Sequence, residues 1–239
     1  MRYLIRFSYD GTLFHGFQRQ KNVKNVQGLL EQTLSGYFGQ DILIKGSGRT
    51  DAGVHAKCQC AHFDTSKKVT WKDIKCINKI LNGEIVINNL ELVDNNFHAR
   101  HDVKKKTYVY KINVGKYKSN YEGYYYQIKY DLDIKKMREA SKVFVGVHDY
   151  RNFVSGYRDD YESVIYNIKI SKFGNILTFK FVGAGFYRYM VRHLVGALVD
   201  VGKGKVDIKT IYGMIDNKEF TKKLCVVPAC GLYLTDVKY

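Results

Sequence analysis

The sequence predicts an α+β protein made of two halves, and three observations carry that prediction. Apolar residues recur at alternating spacing in some stretches and three or four apart in others, the marks of strands and amphipathic helices. In the first hundred residues these stretches run β-α-β-β-α-β, and the second half loosely repeats the theme. A chain of 239 residues is long enough for two small cores, and a boundary near 101–106 divides it into 1–103 and 104–239.

The elements follow in order. Arg2–Tyr9 is rich in β-formers and opens as a strand. Val26–Phe38 places apolar residues at 26, 29, 30, 34 and 38, a helical stripe with Asn25 before it as N-cap. Ile42–Lys45 and Lys57–Phe63 read as strands on either side of a glycine-rich loop, Gly46–Gly53. Trp71–Leu81 reads as a helix and Ile85–Val93 as a strand. Beyond the boundary, Thr107–Val114 alternates strongly and is expected to pair with Tyr124–Lys129. Ile134–Val145 reads as a helix, Ser163–Ser171 and Ile176–Val182 as strands. Phe186–Val201 is the most hydrophobic helix, with a stripe of Phe186, Met190, Leu194, Leu198 and Val201. Ile208–Ile215 and the closing strand Gly231–Val237 complete the chain. Pro228 is the only proline, so the loops must turn on glycine, asparagine and aspartate.

Composition narrows the partners. Lysine and arginine number 39 against 23 acids, a net charge of +16, and 20 tyrosines and 13 phenylalanines accompany them. Basic charge supplies phosphate affinity and aromatic faces supply base stacking, so nucleic acid is the first partner to consider, ahead of a membrane surface. A lysine-rich surface serving solubility alone is the plainer alternative. No apolar run approaches the roughly 20 residues of a membrane-spanning helix, and Met1-Arg2-Tyr3 does not open a signal peptide. An odd count of five cysteines fits reduced thiols in a cytosolic protein. Alternation puts Cys58, Cys60 and His62 on one strand face, but no C-x2-C pair completes a tetrahedral set, and no metal site is expected.

The most informative segment is Gly46-Ser47-Gly48-Arg49-Thr50-Asp51-Ala52-Gly53-Val54-His55-Ala56. Its glycines allow tight turns and close approach to a ligand. A dinucleotide loop would need a third glycine where Asp51 stands and would open a helix, not a strand; a phosphate-binding loop would need G-K-[ST]. What is left is an arginine and a carboxylate two residues apart on a tight loop, for which the simple alternative is an aspartate that only caps the turn.

This segment resembles the signature loop of the TruA family of tRNA pseudouridine synthases, and further segments match in the same order. Tyr9-Asp10-Gly11-Thr12 with Gly16-Phe17-Gln18-Arg19-Gln20 resembles the family's opening, and Phe97-His98-Ala99-Arg100 its mid-chain motif. Lys106-Thr107-Tyr108-Val109-Tyr110 resembles its tyrosine strand, Phe186–Arg192 its arginine helix, and Pro228–Leu234 its C-terminal end. The likeness spans essentially the whole chain. Phe17 stands where many members carry tryptophan, and Cys230 in a usually polar or basic slot.

The resemblance implies two RNA-recognition-like α/β domains forming one extended, mixed and mainly antiparallel sheet with a central active-site cleft. It implies a cytoplasmic homodimer that isomerises uridine to pseudouridine at positions 38 to 40 of the tRNA anticodon stem-loop, without cofactor or metal. Asp51 matches the essential aspartate, whose carboxylate can act as nucleophile or proton acceptor. An anion in a cleft needs a positive partner to stay ionised, and Arg192 is expected in that role. Arg188, one helical turn away, is expected on phosphates with Arg19 and Lys105. Tyr108 matches the active-site tyrosine, although Tyr110 shares its strand face and either could be core. Arg49 is expected to fill the gap left by a flipped base, since the reacting atoms are otherwise stacked inside the arm. His55 and His98 are expected to hold loops. The alternatives are a paralogous synthase acting at another tRNA or rRNA position and a non-catalytic RNA-binding or RNA-folding protein on the same scaffold.

Overall fold

The computed structural model describes residues 1–217, 219 and 225–239. It divides into two compact units, Met1–Lys104 together with Tyr233–Tyr239, and Lys105–Leu232. The closing strand is the departure from the sequence reading. It was expected at the end of the second half, yet from Tyr233 onward it groups with the first. The reason is a pairing across the length of the chain: Tyr233 and Leu234 lie parallel to His55 and Ala56.

In the first unit, β1 (Arg2–Tyr9) runs antiparallel to β3 (His55–Asp64) on one side and to β4 (Ile85–Val93) on the other. The other edge of β3 is shared by β2 (Ile44–Gly46), antiparallel, and β10 (Leu232–Lys238), parallel. Strand β2 begins two residues later than the sequence suggests. Helix α1 (Val26–Phe38) begins where Asn25 caps it, its side chain accepting the Gly28 N–H at 2.8 Å. That cap is worth about 1 kcal/mol. Burial of Val26, Leu30 and Leu34, each fully hidden from solvent, contributes about 1.5–3 kcal/mol apiece. The stripe, not the cap, therefore holds the helix. Helix α2 (Trp71–Ile80) adds Ile74 and Ile77 to a core centred on Ile5 and Phe7 of β1.

In the second unit, β5 (Lys105–Asn113), β9 (Ile176–Gly183), β8 (Glu162–Phe173) and β7 (Gly146–Asp149) form antiparallel neighbours in that order. A short β6 (Tyr126–Gln127) lies parallel to β5. Tyr110, Ile112, Phe179 and Phe181 fill one face of this sheet. Helices α3 (Ile134–Ser141), α4 (Met190–Gly202) and α5 (Ile208–Met214) accompany it. Helix α3 is shorter than its apolar spacing suggests, because residues 142–144 tighten into a 3-10 turn before β7. Strand β7 has four residues, too short to show a period, and no sequence signal marks it. Both units are α+β and mainly antiparallel.

His62 of β3 makes the first unit sensitive to acid. Burial, reinforced by the positive Arg2 and by His98, pushes its imidazole down to about 4. Its Nδ1 accepts the Ala99 N–H at 3.1 Å, so the native ring is neutral. The unfolded chain takes up this proton near pH 6.5, and the native one only near 4. Stability is therefore complete above the unfolded value and falls through this window, by on the order of 2 kcal/mol for this group. The melting temperature should be flat near pH 7–8 and drop by about 5 °C between pH 6.5 and 4. His62→Gln, which keeps an acceptor, should flatten the slope; an unchanged slope in that variant would remove His62 as its source.

Candidate active site

The loop at 47–54 joins β2 to β3 and has no regular structure of its own, so its neighbours must place it. On one side the Ser47 N–H donates to the Cys60 carbonyl at 2.7 Å and the Ser47 hydroxyl to Gln59 Oε1 at 2.7 Å. Gln59 in turn donates to the Gly48 carbonyl at 3.1 Å. On the other side, the Thr50 carbonyl accepts the Phe17 N–H at 3.1 Å, and its hydroxyl meets the buried Tyr9 hydroxyl at 2.8 Å. Burial pushes the Tyr9 phenol up to about 12, so it remains a neutral hydrogen-bonding group at physiological pH. Gly11 lies so close to the Val54 carbonyl that a side-chain carbon there would overlap it. The Gly11 N–H donates to His55 Nδ1 at 3.1 Å, and the His55 ring stacks on Tyr233 at 4.5 Å. The closing strand thus braces the start of β3.

These braces decide what the loop presents. Thr50 is buried, Arg49 is exposed, and Asp51 between them and Ala52 is half-buried. The turn closes through the Asp51 backbone carbonyl, which accepts the Val54 N–H at 3.2 Å, a bond that any residue type would make. Arg19, in the same unit, pairs with the buried carboxylate of Glu31 at 3.0 Å while most of its side chain stays in solvent. It therefore has a partner within the protein, besides the RNA contact expected from sequence.

The second unit separates the two tyrosines that the sequence left equivalent. Tyr110 is fully buried and its hydroxyl donates to the Pro228 carbonyl at 2.7 Å, so its ring and its polar end both serve the fold. Burial pushes its phenol well above the ordinary range. Tyr108, also largely buried, lies against Phe186 edge-to-face with centroids 5.2 Å apart. Lys105 opens β5 at an exposed position.

The arginine segment differs from the expected helix. Helix α4 starts at Met190, not at Phe186, because Tyr189 adopts φ 62° and ψ −1° and caps it. Apolar spacing through Phe186 and Met190 is satisfied by a turn followed by a helix, so periodicity alone misplaces the start. Arg188 accordingly precedes the helix, and the one-turn spacing expected of Arg188 and Arg192 does not exist. Their guanidinium carbons instead lie 5.1 and 4.5 Å from the centroid of one ring, that of Tyr189. The left-handed conformation costs a tyrosine on the order of 1 kcal/mol. Arg192 Nε donates to the Val227 carbonyl at 2.8 Å. A two-bond grip on a carboxylate would therefore use the Nη1/Nη2 edge of its fork. The segment carrying Val227 runs so close to α4 that a side chain at Gly196 would overlap the Cys225 carbonyl.

His98 and the free cysteines of β3 lie in the first unit. His98 Nδ1 accepts the Arg100 N–H at 3.1 Å, and Arg6 Nη1 approaches Cys60 Sγ at 3.4 Å. Among the described residues, no three His, Cys, Asp or Glu side chains are grouped to hold a metal ion. None of the helices described is long and apolar enough to cross a membrane.

A glycine-bounded, charged loop is thus braced in one α+β unit and two arginines gather on a tyrosine in the other, on a basic chain of net charge +16. A family model described as tRNA pseudouridine synthase matches residues 5–114 and 140–239, and the chain belongs to that family. The protein named tRNA pseudouridine synthase A of Lactobacillus helveticus (strain DPC 4571) is 38% identical over 246 residues, spanning 100% of this chain and 94% of its own. Its namesake in Mycoplasma genitalium is 37% identical over 242 residues, with 100% and 98% covered. That of Pseudothermotoga lettingae is 37% identical over 243 residues, with 100% and 99% covered.

The seat of the loop is testable without touching a charged residue. Gly11→Ala forces the Val54 carbonyl away and with it the frame around Asp51. Turnover should fall at least tenfold, with a loss of about 1–3 kcal/mol in stability. Wild-type turnover in a variant of unchanged melting temperature would show that the contact places nothing.

Proposed function

We propose that this synthase isomerises uridine at positions 38 to 40 of the tRNA anticodon stem-loop, acting in the cytoplasm as a homodimer, with Asp51 opening the reaction. The observation that carries this reading is the half-buried Asp51 on a loop pinned from both sides, in a chain of this family. The reaction breaks the C1′–N1 bond, turns the uracil and joins C1′ to C5. The C5 proton then leaves and N1 gains one, so substrate and product have the same atoms and no oxidant or reductant is required. The Asp51 carboxylate acts as nucleophile or base in the bond-breaking half. Arg192 supplies the positive charge that keeps it ionised.

Tyr108 stacks on the turned uracil and its hydroxyl assists removal of the C5 proton. Arg49 fills the space of the flipped base. Arg188, Lys105 and the exposed part of Arg19 meet phosphates, which makes affinity fall steeply with salt.

Asp51→Asn tests the centre of the reading, because it keeps shape and removes one negative charge. Tritium release from C5-labelled uridine in tRNA should drop to background, while filter binding at one fixed salt concentration persists or tightens. An aspartate that only closed the turn would be replaced well by asparagine, so substantial release would overturn the assignment. In the same assay Tyr108→Phe should turn over about 10²–10⁴-fold more slowly, and wild-type turnover would leave the ring as its sole contribution. For the assembly, light scattering should return about twice the 27.7 kDa subunit mass, and a monomer fully active on tRNA would exclude the dimer.

A further inference from the structure

We infer that Tyr189 is a positioning residue, whose ring, presented by a left-handed backbone, holds the Arg192 guanidinium in the orientation the reaction uses. The inference rests on the role proposed above for Arg192. Among the described residues, the non-glycine positions with positive φ are Asn22, Asn82, Asp216 and Tyr189. Asparagine and aspartate tolerate this region because their short polar side chains bond locally. A tyrosine does not, and gains nothing from it as a simple helix cap, since its side chain makes no capping bond. Backbone strain of this kind persists where surrounding contacts over-determine it, and it clusters where geometry is used.

The surrounding contacts are present. Ser155 ties down both sides of Tyr189: its N–H donates to the Arg188 carbonyl at 3.1 Å, and its hydroxyl meets His193 Nε2 at 3.1 Å. The His193 N–H donates to the Tyr189 carbonyl at 2.9 Å, and His193 and Met190 are buried. The backbone on either side of residue 189 is thus fixed through its own carbonyl groups. What the conformation achieves is the placement of that ring, half-exposed, against two cations. Arg192 is the closer, at 4.5 Å, and its Nε is already committed to the Val227 carbonyl. A hydrogen bond at Nε does not by itself fix how a guanidinium turns about it; a ring face 4.5 Å from its central carbon restricts that motion. Tyr189 and Val227 together fix the direction in which the Nη1/Nη2 edge points. The ring also takes Arg188 at 5.1 Å, and its negative face offsets the repulsion of two neighbouring cations.

The test uses the full-length protein and three single substitutions. Tyr189→Phe keeps the ring and should turn over within about twofold of wild type. Tyr189→Asn and Tyr189→Gly remove the ring but suit a left-handed backbone, so their melting temperatures should equal or exceed that of wild type. Their kcat on tRNA should nevertheless fall at least tenfold, while KM and filter-binding affinity change less than about threefold. That split separates orientation of a reacting group from loss of an RNA contact. A double-mutant cycle with Arg192→Lys closes the question whatever the melting temperatures show. If Tyr189 acts through Arg192, Tyr189→Asn should add little further loss of kcat in the Arg192→Lys background. Equal losses in both backgrounds, or wild-type kcat in Tyr189→Asn, would overturn the inference. If Arg192→Lys itself kept wild-type kcat, the role proposed for Arg192 would fail first. A rate loss in Arg192→Lys beside wild-type kcat in Tyr189→Asn would overturn the positioning role alone.

Discussion

Gly11 lies directly against the Val54 carbonyl, and most of the first unit can be understood as holding those two backbones together. Gly11 follows β1 and Val54 precedes β3, so the antiparallel pairing of these strands brings both to the same end of the sheet. His55 then accepts the Gly11 N–H and stacks on Tyr233, which ties the last strand into the same corner. The bond that closes the loop at Asp51 uses its backbone carbonyl, which accepts the Val54 N–H. Asp51 is carried on a frame made by its neighbours Ser47, Gln59, Thr50, Tyr9 and Phe17.

The second unit solves the same problem with a cation. A long side chain such as arginine has many rotamers, and fixing it loses up to about 2 kcal/mol of conformational entropy. Arg192 meets that cost with a hydrogen bond at Nε and an aromatic ring 4.5 Å from its guanidinium carbon. Both supports come from residues close to α4 in space, Tyr189 at its start and Val227 on the segment laid along it at Gly196. The absence of a side chain at residue 196 and the strain at residue 189 are therefore two parts of one local construction.

Much of this was legible in the sequence where a single local signal decided the outcome. Helix α1 has the bounds its apolar spacing and Asn25 indicate, because cap and stripe agree. Strands β1 and β4 likewise match their composition. Other features were not legible, each for a physical reason. The return of the last strand to the first unit is a parallel pairing between residues far apart in sequence, which no local pattern encodes. The true start of α4 depends on a backbone angle at Tyr189 that its residue type disfavours. The difference between Tyr108 and Tyr110 lies in where a hydroxyl ends, at Pro228 for Tyr110, and two tyrosines two residues apart on one strand look alike until the distant chain is in place. On β3, alternation predicts one face for Cys58, Cys60 and His62, yet Gln59, Ala61 and Phe63 on the other face are buried as well. A strand covered on both sides carries no usable polarity signal.

Net charge and fixed geometry have separate roles in such a protein. A charge of +16 draws a polyanion from a distance and fades with salt, and it needs no particular arrangement of lysines. Lysine ammonium groups on flexible stems suit that task, as at Lys105. Arginine is different where planarity matters, and here the structure treats its arginines unequally. Arg49 is left exposed on the loop, Arg19 is shared with a buried carboxylate, and Arg192 is fixed at two points. Holding one cation this firmly would be wasted on a screened phosphate contact, which tolerates many orientations. It is of use where a particular angle between a guanidinium and a reacting group changes the rate. Two fixed points at Arg192 are what the role proposed for it would use, whereas the lysine-rich surface serves affinity.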